Sequence, residues 1–326
     1  MEILSNSVWV VFGLVLLYYG AEWLVKGSSE LALRVGISPL VVGLTVVAFG
    51  TSAPELLVSV SANMKTPPEG DIALGNVVGS NICNLALVLG IAALIRPFSI
   101  HRQVLKREMP ILLVATGLFV VMLMDGRISR LEGGALALGV VLYTVSSIRR
   151  GKKGEEIDIE LDLSEEEIRK LRKAGPAQMI KDVALIILGL VALVAGADRL
   201  VFGGSNIATV LGVPTAVIAL TLVAFGTSLP EIATVVVASL KGEGDLITGN
   251  AVGSCIFNLL AVIGITAAVA PLSAQSLQFA DLIVMSTVTV LLLPFMWTRG
   301  ALSRLEGTVL VGGYLVYVVW LFLRQG

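Results

Sequence analysis

The chain has 326 residues, 56% apolar and only 14% charged, with a mean hydropathy of +0.92 and a net charge of -1 from 23 basic and 24 acidic side chains. A typical soluble domain carries about 25% charged residues, so this composition excludes a disordered, fibrous or nucleic-acid-coating chain and leaves a polytopic membrane protein. The lipid bilayer is the partner this composition implies, and the nearly balanced charge says nothing about any other.

Crossing a bilayer takes about 20 mostly apolar residues. Runs near that length recur at 8–33, 38–63, 71–95, 108–124, 131–148, 180–211, 214–240, 245–270, 279–298 and 303–323. The pattern predicts ten transmembrane helices, an all-α polytopic fold divided into a first unit 1–149, a loop 150–178 and a second unit 179–326. The first run is not expected to be a cleaved signal peptide, because Glu2 stands where a basic region belongs and no small-residue cleavage site follows. It contains Glu22 and Lys26, an i,i+4 pair, and Asp198 with Arg199 occupies the matching part of the sixth run; these charges read equally as neutralising each other within a tilted helix or as serving a gate.

The second run carries the most chemistry. Glu55 sits deep in an apolar helix, where an ionised carboxylate costs about 3 kcal/mol or more unless it is paired. Pro54 before it lacks the N–H that would bond the carbonyl of Gly50, so the helix should kink and expose a hard oxygen ligand. Such a carbonyl is tolerated at membrane depth only when it faces protein or a wet cavity. Thr51 lies four residues before Glu55, on the same face. Bonding back to the helix carbonyls would be the ordinary fate of the Thr51 and Ser52 hydroxyls.

In the third run Asn76, Ser80 and Asn84 recur every fourth residue as a polar stripe, while Gly75 and Gly79 match the small-xxx-small pattern of close helix packing. Cys83 and Cys255, both in apolar runs, read as small buried hydrophobes rather than a disulfide. His101, the only histidine, falls in a loop and reads as solvated. The hydrophilic stretch 150–178 mixes acidic and basic residues. Ser164 and Glu167 form a capping box that should open a short surface helix through about Ala174. Without the ligand spacing of an EF-hand loop, the stretch reads as a solvated linker rather than an ion sensor.

The second unit repeats the first. Residues 43–56, GLTVVAFGTSAPEL, match 219–232, ALTLVAFGTSLPEI, at ten of fourteen positions, and 75–85 matches 249–259 at eight of eleven. SRLEG occurs at 129–133 and at 303–307. Glu231, Pro230, Thr227 and Ser228 thereby duplicate Glu55, Pro54, Thr51 and Ser52, and Asn250, Ser254 and Asn258 duplicate the stripe. Five helices per half is an odd number, so the second copy must enter the membrane from the opposite face. Inverted repeats of this kind place transport sites near the midplane, where broken helices of the two halves meet.

Alternating the loops between two sides puts 17 basic residues on one side and four (Lys65, Arg127, Arg130 and Arg324) on the other. By the positive-inside rule the crowded side, with the 150–178 loop, is cytoplasmic and both termini face out.

Two glutamates binding bidentately, with the backbone oxygens of Thr51 and Thr227, offer six oxygens of charge -2, within the range that Ca²⁺ accepts. No Cys/His cluster exists for zinc or copper. Neighbouring Ser and Asn oxygens could hold smaller monovalent ions. An empty pair of ionised glutamates is mutually repulsive in low dielectric, which resists reorientation until cations neutralise it and so favours exchange over a channel.

At these residues the sequence resembles the sodium/calcium exchanger family of the cation/calcium antiporters, especially its prokaryotic members, with G-T-S-x-P-E followed by G-N-x-x-G-S-x-I-x-N in each half. The resemblance covers nearly the whole chain. It implies a calcium site of Glu55 and Glu231 with the backbone oxygens of Thr51 and Thr227. It also implies sodium sites using the carbonyls of Ala48 and Ala224 and the side chains of Thr51, Ser52, Ser80, Thr227, Ser228 and Ser254, with Asn84 and Asn258 closing the centre. Several relatives carry Asp where this chain has Asn258, a departure that touches potassium coupling. In the family, helices 1 and 6 slide across the other eight. The expected function is sodium/calcium antiport at the cell membrane, needing no cofactor beyond the transported Ca²⁺ and Na⁺. A proton-coupled exchanger is the nearest alternative, though such relatives carry G-N-x-x-E at this helix. A passive channel follows, and an intramembrane enzyme is disfavoured because no nucleophile–base pair is present.

Overall fold

The computed structural model describes residues 2–151, 175–213, 224–274 and 277–325. The chain forms α1 (Glu2–Val35), α2 (Pro39–Thr51), α3 (Ala53–Asn63), α4 (Gly70–Ile95), α5 (Val104–Asp125), α6 (Arg130–Gly151) and α7 (Pro176–Val210). After one helical turn at Ala224–Gly226 come α8 (Leu229–Lys241), α9 (Gly244–Val269), α10 (Phe279–Arg299) and α11 (Arg304–Gln325). Among the described residues, eight helices are long and apolar enough to cross a membrane, and the bent pair α2/α3 makes a ninth. The expected run 214–240 begins outside the described residues, as do the capping box of Ser164 and Glu167 and its short helix.

The run 38–63, expected as one helix with a kink, is two helices that meet at a 40° bend. The break falls at Ser52 (φ -82°, ψ 3°), two residues before Pro54, whose ring and missing N–H cannot continue the α2 ladder. Several other spans carry a wider π turn: Gly43–Val47 in α2, Cys83–Val88 in α4, Val104–Glu108 in α5 and Asn258–Val262 in α9. Such turns cluster at functional positions.

α4 and α9 form the centre. Their apolar windows are 78% and 83% buried, whereas the other long spans range from 11% to 39%. The outer helices turn large apolar side chains outward, among them Leu57, Val114, Leu131, Ile180 and Val316. So much exposed hydrocarbon would aggregate a protein in water and instead matches a lipid boundary. The molecule is a multi-pass membrane protein.

Small residues set the closest contacts. On α9, a Cβ at Gly249 would lie 2.7 Å from the Leu40 carbonyl oxygen and one at Gly253 2.8 Å from Ala48 Cβ, the close packing that the small-xxx-small pattern predicts for this repeat of Gly75 and Gly79, whereas among the described residues a Cβ at Gly75 or Gly79 itself meets nothing within 4 Å. α1 and α7 run antiparallel with their backbones touching. A Cβ at Gly13 would stand 2.7 Å from the Gly196 carbonyl oxygen, one at Gly20 2.9 Å from that of Gly189, and one at Gly203 2.7 Å from that of Asn6. The glycines at 13, 20 and 27 and those at 189, 196 and 203 are heptad series 176 residues apart.

Two short strand clasps join the halves. β1 (Phe98–Ser99) pairs antiparallel with β4 (Ala301–Leu302), and β2 (Arg127–Ile128) with β3 (Leu272–Ser273). The loop after α4 is thereby held beside the loop before α11, and the loop after α5 beside the loop after α9. The repeated SRLEG is a helix cap in both halves. Glu132 accepts from the Ser129 amide at 2.8 Å and hydroxyl at 2.7 Å, and Glu306 accepts from the Ser303 amide at 2.7 Å and from its hydroxyl.

The charges of α1 pair differently from expectation. Glu22 bonds Lys241 at the end of α8, at 2.8 Å, rather than Lys26. Arg34, one residue beyond the expected first run, lies in the last turn of α1, 3.1 Å from Glu30 and in contact with buried Asp182 of α7. Arg199 sits 3.6 Å from Asp198 and caps the Trp9 ring at 5.2 Å.

Candidate functional site

The bend at Ser52 starts α3 inside the molecule, and Glu55 falls in its first turn. Ser228 (φ -89°, ψ 1°) does the same for α8 and Glu231. A carboxylate at a helix N-terminus meets the positive end of the peptide dipoles, which offsets part of its burial. Both glutamates are fully buried, as are Thr51, Asn84, Asn250, Ser254 and Asn258, with Ser52, Ser80 and Ser228 nearly so; Thr227 and Asn76 are half-buried.

The stripes of the central helices bond the bends of the opposite half. Thr51 Oγ1 donates to Asn250 Oδ1 at 3.1 Å, and Thr227 Oγ1 donates to Asn76 Oδ1 at 3.3 Å, equivalent contacts with the halves exchanged. Thr51 Oγ1 also lies 3.4 Å from Ser254 Oγ and 3.4 Å from the Ala48 carbonyl oxygen. Bonding back along the helix is therefore only part of its role. Asn76 Nδ2 reaches the Glu55 carbonyl at 3.2 Å and Ser59 Oγ at 3.1 Å. Ser80 Oγ donates to Glu55 Oε1 and meets Ser228 Oγ, both at 3.4 Å.

These contacts gather Glu55, Ser80, Ser228, Thr227 and Asn76 on one side and Thr51, Ser254 and Asn250 on the other. The hydroxyls of Thr51 and Ser52 lie beside the Glu231 carboxyl, the Thr227 hydroxyl lies beside that of Glu55, and the two carboxyls are within electrostatic reach of each other. Ala48 is buried and its carbonyl accepts the Ser52 amide at 3.0 Å. Ala224 opens the short turn before Ser228, at the edge of the described residues.

Acceptors outnumber donors in this space. Glu55 Oε2, both Glu231 oxygens, Ser52 Oγ, Asn84 Oδ1 and Asn258 Oδ1 are buried without a hydrogen-bond partner, against two bare amide donors, Asn84 Nδ2 and Asn250 Nδ2. Among the described residues no Lys or Arg pairs with either glutamate, so the salt bridge that would make them structural is not formed. Buried acceptors left bare cost about 1–3 kcal/mol each, more for charged ones. A positive ion is the kind of group that would satisfy them. With only oxygen ligands on offer, and no cluster of three or more His, Cys, Asp or Glu among the described residues, the chemistry would suit a hard ion.

Sequence reasoning passed over Asn81, which lies off the Asn76 stripe, is buried, and accepts from Asn258 Nδ2 at 3.1 Å. A polar residue off the stripe of an otherwise apolar central helix was the available signal.

Comparison with known proteins follows the same lines. A family model described as "Sodium/calcium exchanger protein" matches residues 5–149 and 181–323. The chain belongs to the sodium/calcium exchanger family. Among relatives of this family, the putative antiporter CaxA of Alkalimonas amylolytica is 38% identical over 323 residues, covering 98% of this chain and 99% of its own length. The sodium/calcium exchanger MaX1 of Methanosarcina acetivorans is 33% identical, covering 97% and 98%. A solved structure of the sodium-calcium exchanger NCX_Mj, soaked with Na⁺ and Sr²⁺, superposes with a TM-score of 0.83 at 30% identity, covering 97% of this chain and 98% of that one. The likeness to the exchanger fold thus covers 97% of the chain, and the two segments matched by the family model are separated by the charged stretch between residues 149 and 181.

Proposed function

We propose that the chain is a sodium/calcium antiporter that carries Ca²⁺ one way and Na⁺ the other through a midplane site. Glu55 and Glu231, with the backbone oxygens of Thr51 and Thr227, hold Ca²⁺. The Ala48 and Ala224 carbonyls and the side chains of Thr51, Ser52, Ser80, Thr227, Ser228 and Ser254 hold Na⁺, and Asn84 and Asn258 close the centre. The observation that carries this reading is the set of buried, unpartnered oxygens around two carboxyls that no basic residue neutralises. Relatives named as exchangers support the choice of ions.

The architecture proposed is ten helices in two inverted five-helix repeats, 1–149 and 179–326, joined by a cytoplasmic loop, with both termini outside. The exchanged contacts Thr51 to Asn250 and Thr227 to Asn76 support the two-fold relation, as do the paired strand clasps. Exchange follows from electrostatics. Two close buried carboxylates cannot reorient in low dielectric while bare, and one Ca²⁺ or several Na⁺ each lift that penalty.

Calcium uptake into vesicles containing the purified chain, under sodium, potassium or proton gradients in turn, tests the proposal. Uptake should follow an outward sodium gradient and stop without counter-cation. Uptake driven by protons alone would replace sodium as the partner ion, and flux without any counter-cation would make the protein a channel.

A further inference from the structure

The two central asparagines are equivalent in sequence, 174 residues apart, but not in bonding. Asn84 has neither amide atom partnered, whereas Asn258 donates Nδ2 to Asn81 Oδ1 at 3.1 Å and leaves only Oδ1 without a partner. Both side chains are fully buried. Asn81 has no asparagine counterpart, because the equivalent position is Cys255.

Groups that can only accept determine which way each amide faces. Asn81 Nδ2 lies 3.5 Å from the Cys255 carbonyl and 3.9 Å from Met285 Sδ. With its nitrogen directed there, Asn81 presents its oxygen to Asn258, and Asn258 answers with its nitrogen. The Asn258 oxygen is thereby turned away from Asn81. On the other side, the Cys255 thiol donates to the Asn81 backbone carbonyl at 3.8 Å and so does not hold Asn84.

We propose that Asn81 is a positioning residue that fixes the polarity of the Asn258 amide, holding its oxygen toward a sodium ion in the centre. The inference rests on reading Asn84 and Asn258 as part of the ion site. It also explains why this chain has Asn rather than Asp at 258. An ionised carboxylate has no proton to give Asn81 Oδ1 and would confront it as a second acceptor.

A double-mutant cycle on the full chain tests this, using Asn81→Leu, Asn258→Asp and the pair. Two readouts apply to each variant: the sodium dependence of calcium uptake in vesicles, and the sodium-dependent thermal shift of the purified protein in detergent. Removing one orienting hydrogen bond should weaken apparent sodium affinity about tenfold in the Asn258 background. In the Asn258→Asp background the loss should be under twofold, since a carboxylate presents an oxygen either way round. Equal losses in both backgrounds, or unchanged sodium affinity in Asn81→Leu, overturn the assignment. If Asn81→Leu does not elute as a folded monodisperse species, Asn81→Ala takes its place with the same expectation. Parent protein that shows no uptake under any gradient defeats the antiporter reading, while the thermal-shift cycle still decides the role of Asn81.

Discussion

Asn81 and Cys255 hold equivalent places in the two halves, and each hydrogen-bonds the backbone carbonyl of the other. In the proposed inverted repeat, a position that touches its own counterpart reciprocally would lie on the two-fold axis. The bends at Ser52 and Ser228 would then be distributed about that axis, and in the proposed site each half supplies one carboxyl, Glu55 or Glu231.

Neutralising either carboxyl should remove calcium binding without unfolding the protein. Calcium at about 100 times its Kd should stabilise the parent by about 2.7 kcal/mol, seen as a rise in melting temperature. In Glu55→Gln and Glu231→Gln that rise and calcium uptake should both vanish. The ion-free melting temperature should hold or increase, because a repulsive buried charge has been removed. Normal uptake by either variant would end the site assignment.

The α1/α7 seam should not tolerate a methyl group. Gly196→Ala would put a Cβ 2.8 Å from the Leu17 amide nitrogen, and Gly13→Ala one 2.7 Å from the Gly196 carbonyl oxygen. Overpacking of this kind costs about 1–3 kcal/mol. Among the described residues a Cβ at Gly312 of α11 meets nothing within 4 Å, so Gly312→Ala is the control. Melting temperatures in detergent compare the three, and equal values would show that the seam is looser than its backbone contacts require.

The ion pairs should rank by burial. Arg34 and Asp182 have side chains 6% and 0% exposed, so Arg34→Gln strands a buried carboxylate and should cost about 3–5 kcal/mol. Lys65 and Glu69, 57% and 39% exposed, form a surface pair for which Lys65→Gln should cost at most about 1 kcal/mol. Thermal unfolding of the two variants side by side checks the order.

The proposed topology can be read by labelling intact cells with a membrane-impermeant maleimide. The native Cys83 and Cys255 are buried and should stay unmodified. Arg127→Cys, in the loop after α5, should react from outside, and His101→Cys, in the loop after α4, only after permeabilisation. Equal labelling of both from outside would refute the assigned sides.

Much of this was legible in the sequence because it depends on local chemistry. Apolar runs set the helices to within a few residues, and the duplicated Pro-Glu steps marked where helices break. Contacts between distant segments were not legible. Glu22 had a partner four residues away in Lys26, but the fold brings Lys241 closer, and spacing along one helix cannot reveal that competition. Arg34 read as a loop residue because a charge normally ends a hydrophobic run, yet Asp182 across the seam keeps it within the helix. The cap in SRLEG and the glycine heptads were written in the sequence in plain patterns, and only the folded chain shows what each is for.

The glycine seam carries a mechanical consequence. Two helices whose main chains touch along six glycines have no side-chain cushion between them, so neither can advance or turn without carrying the other. One of these helices comes from each half and, among the described residues, neither is tied by a strand clasp, so a displacement of the pair would reach both faces of the membrane at once. A doorway that opened on one surface would therefore shut on the other as part of the same stroke.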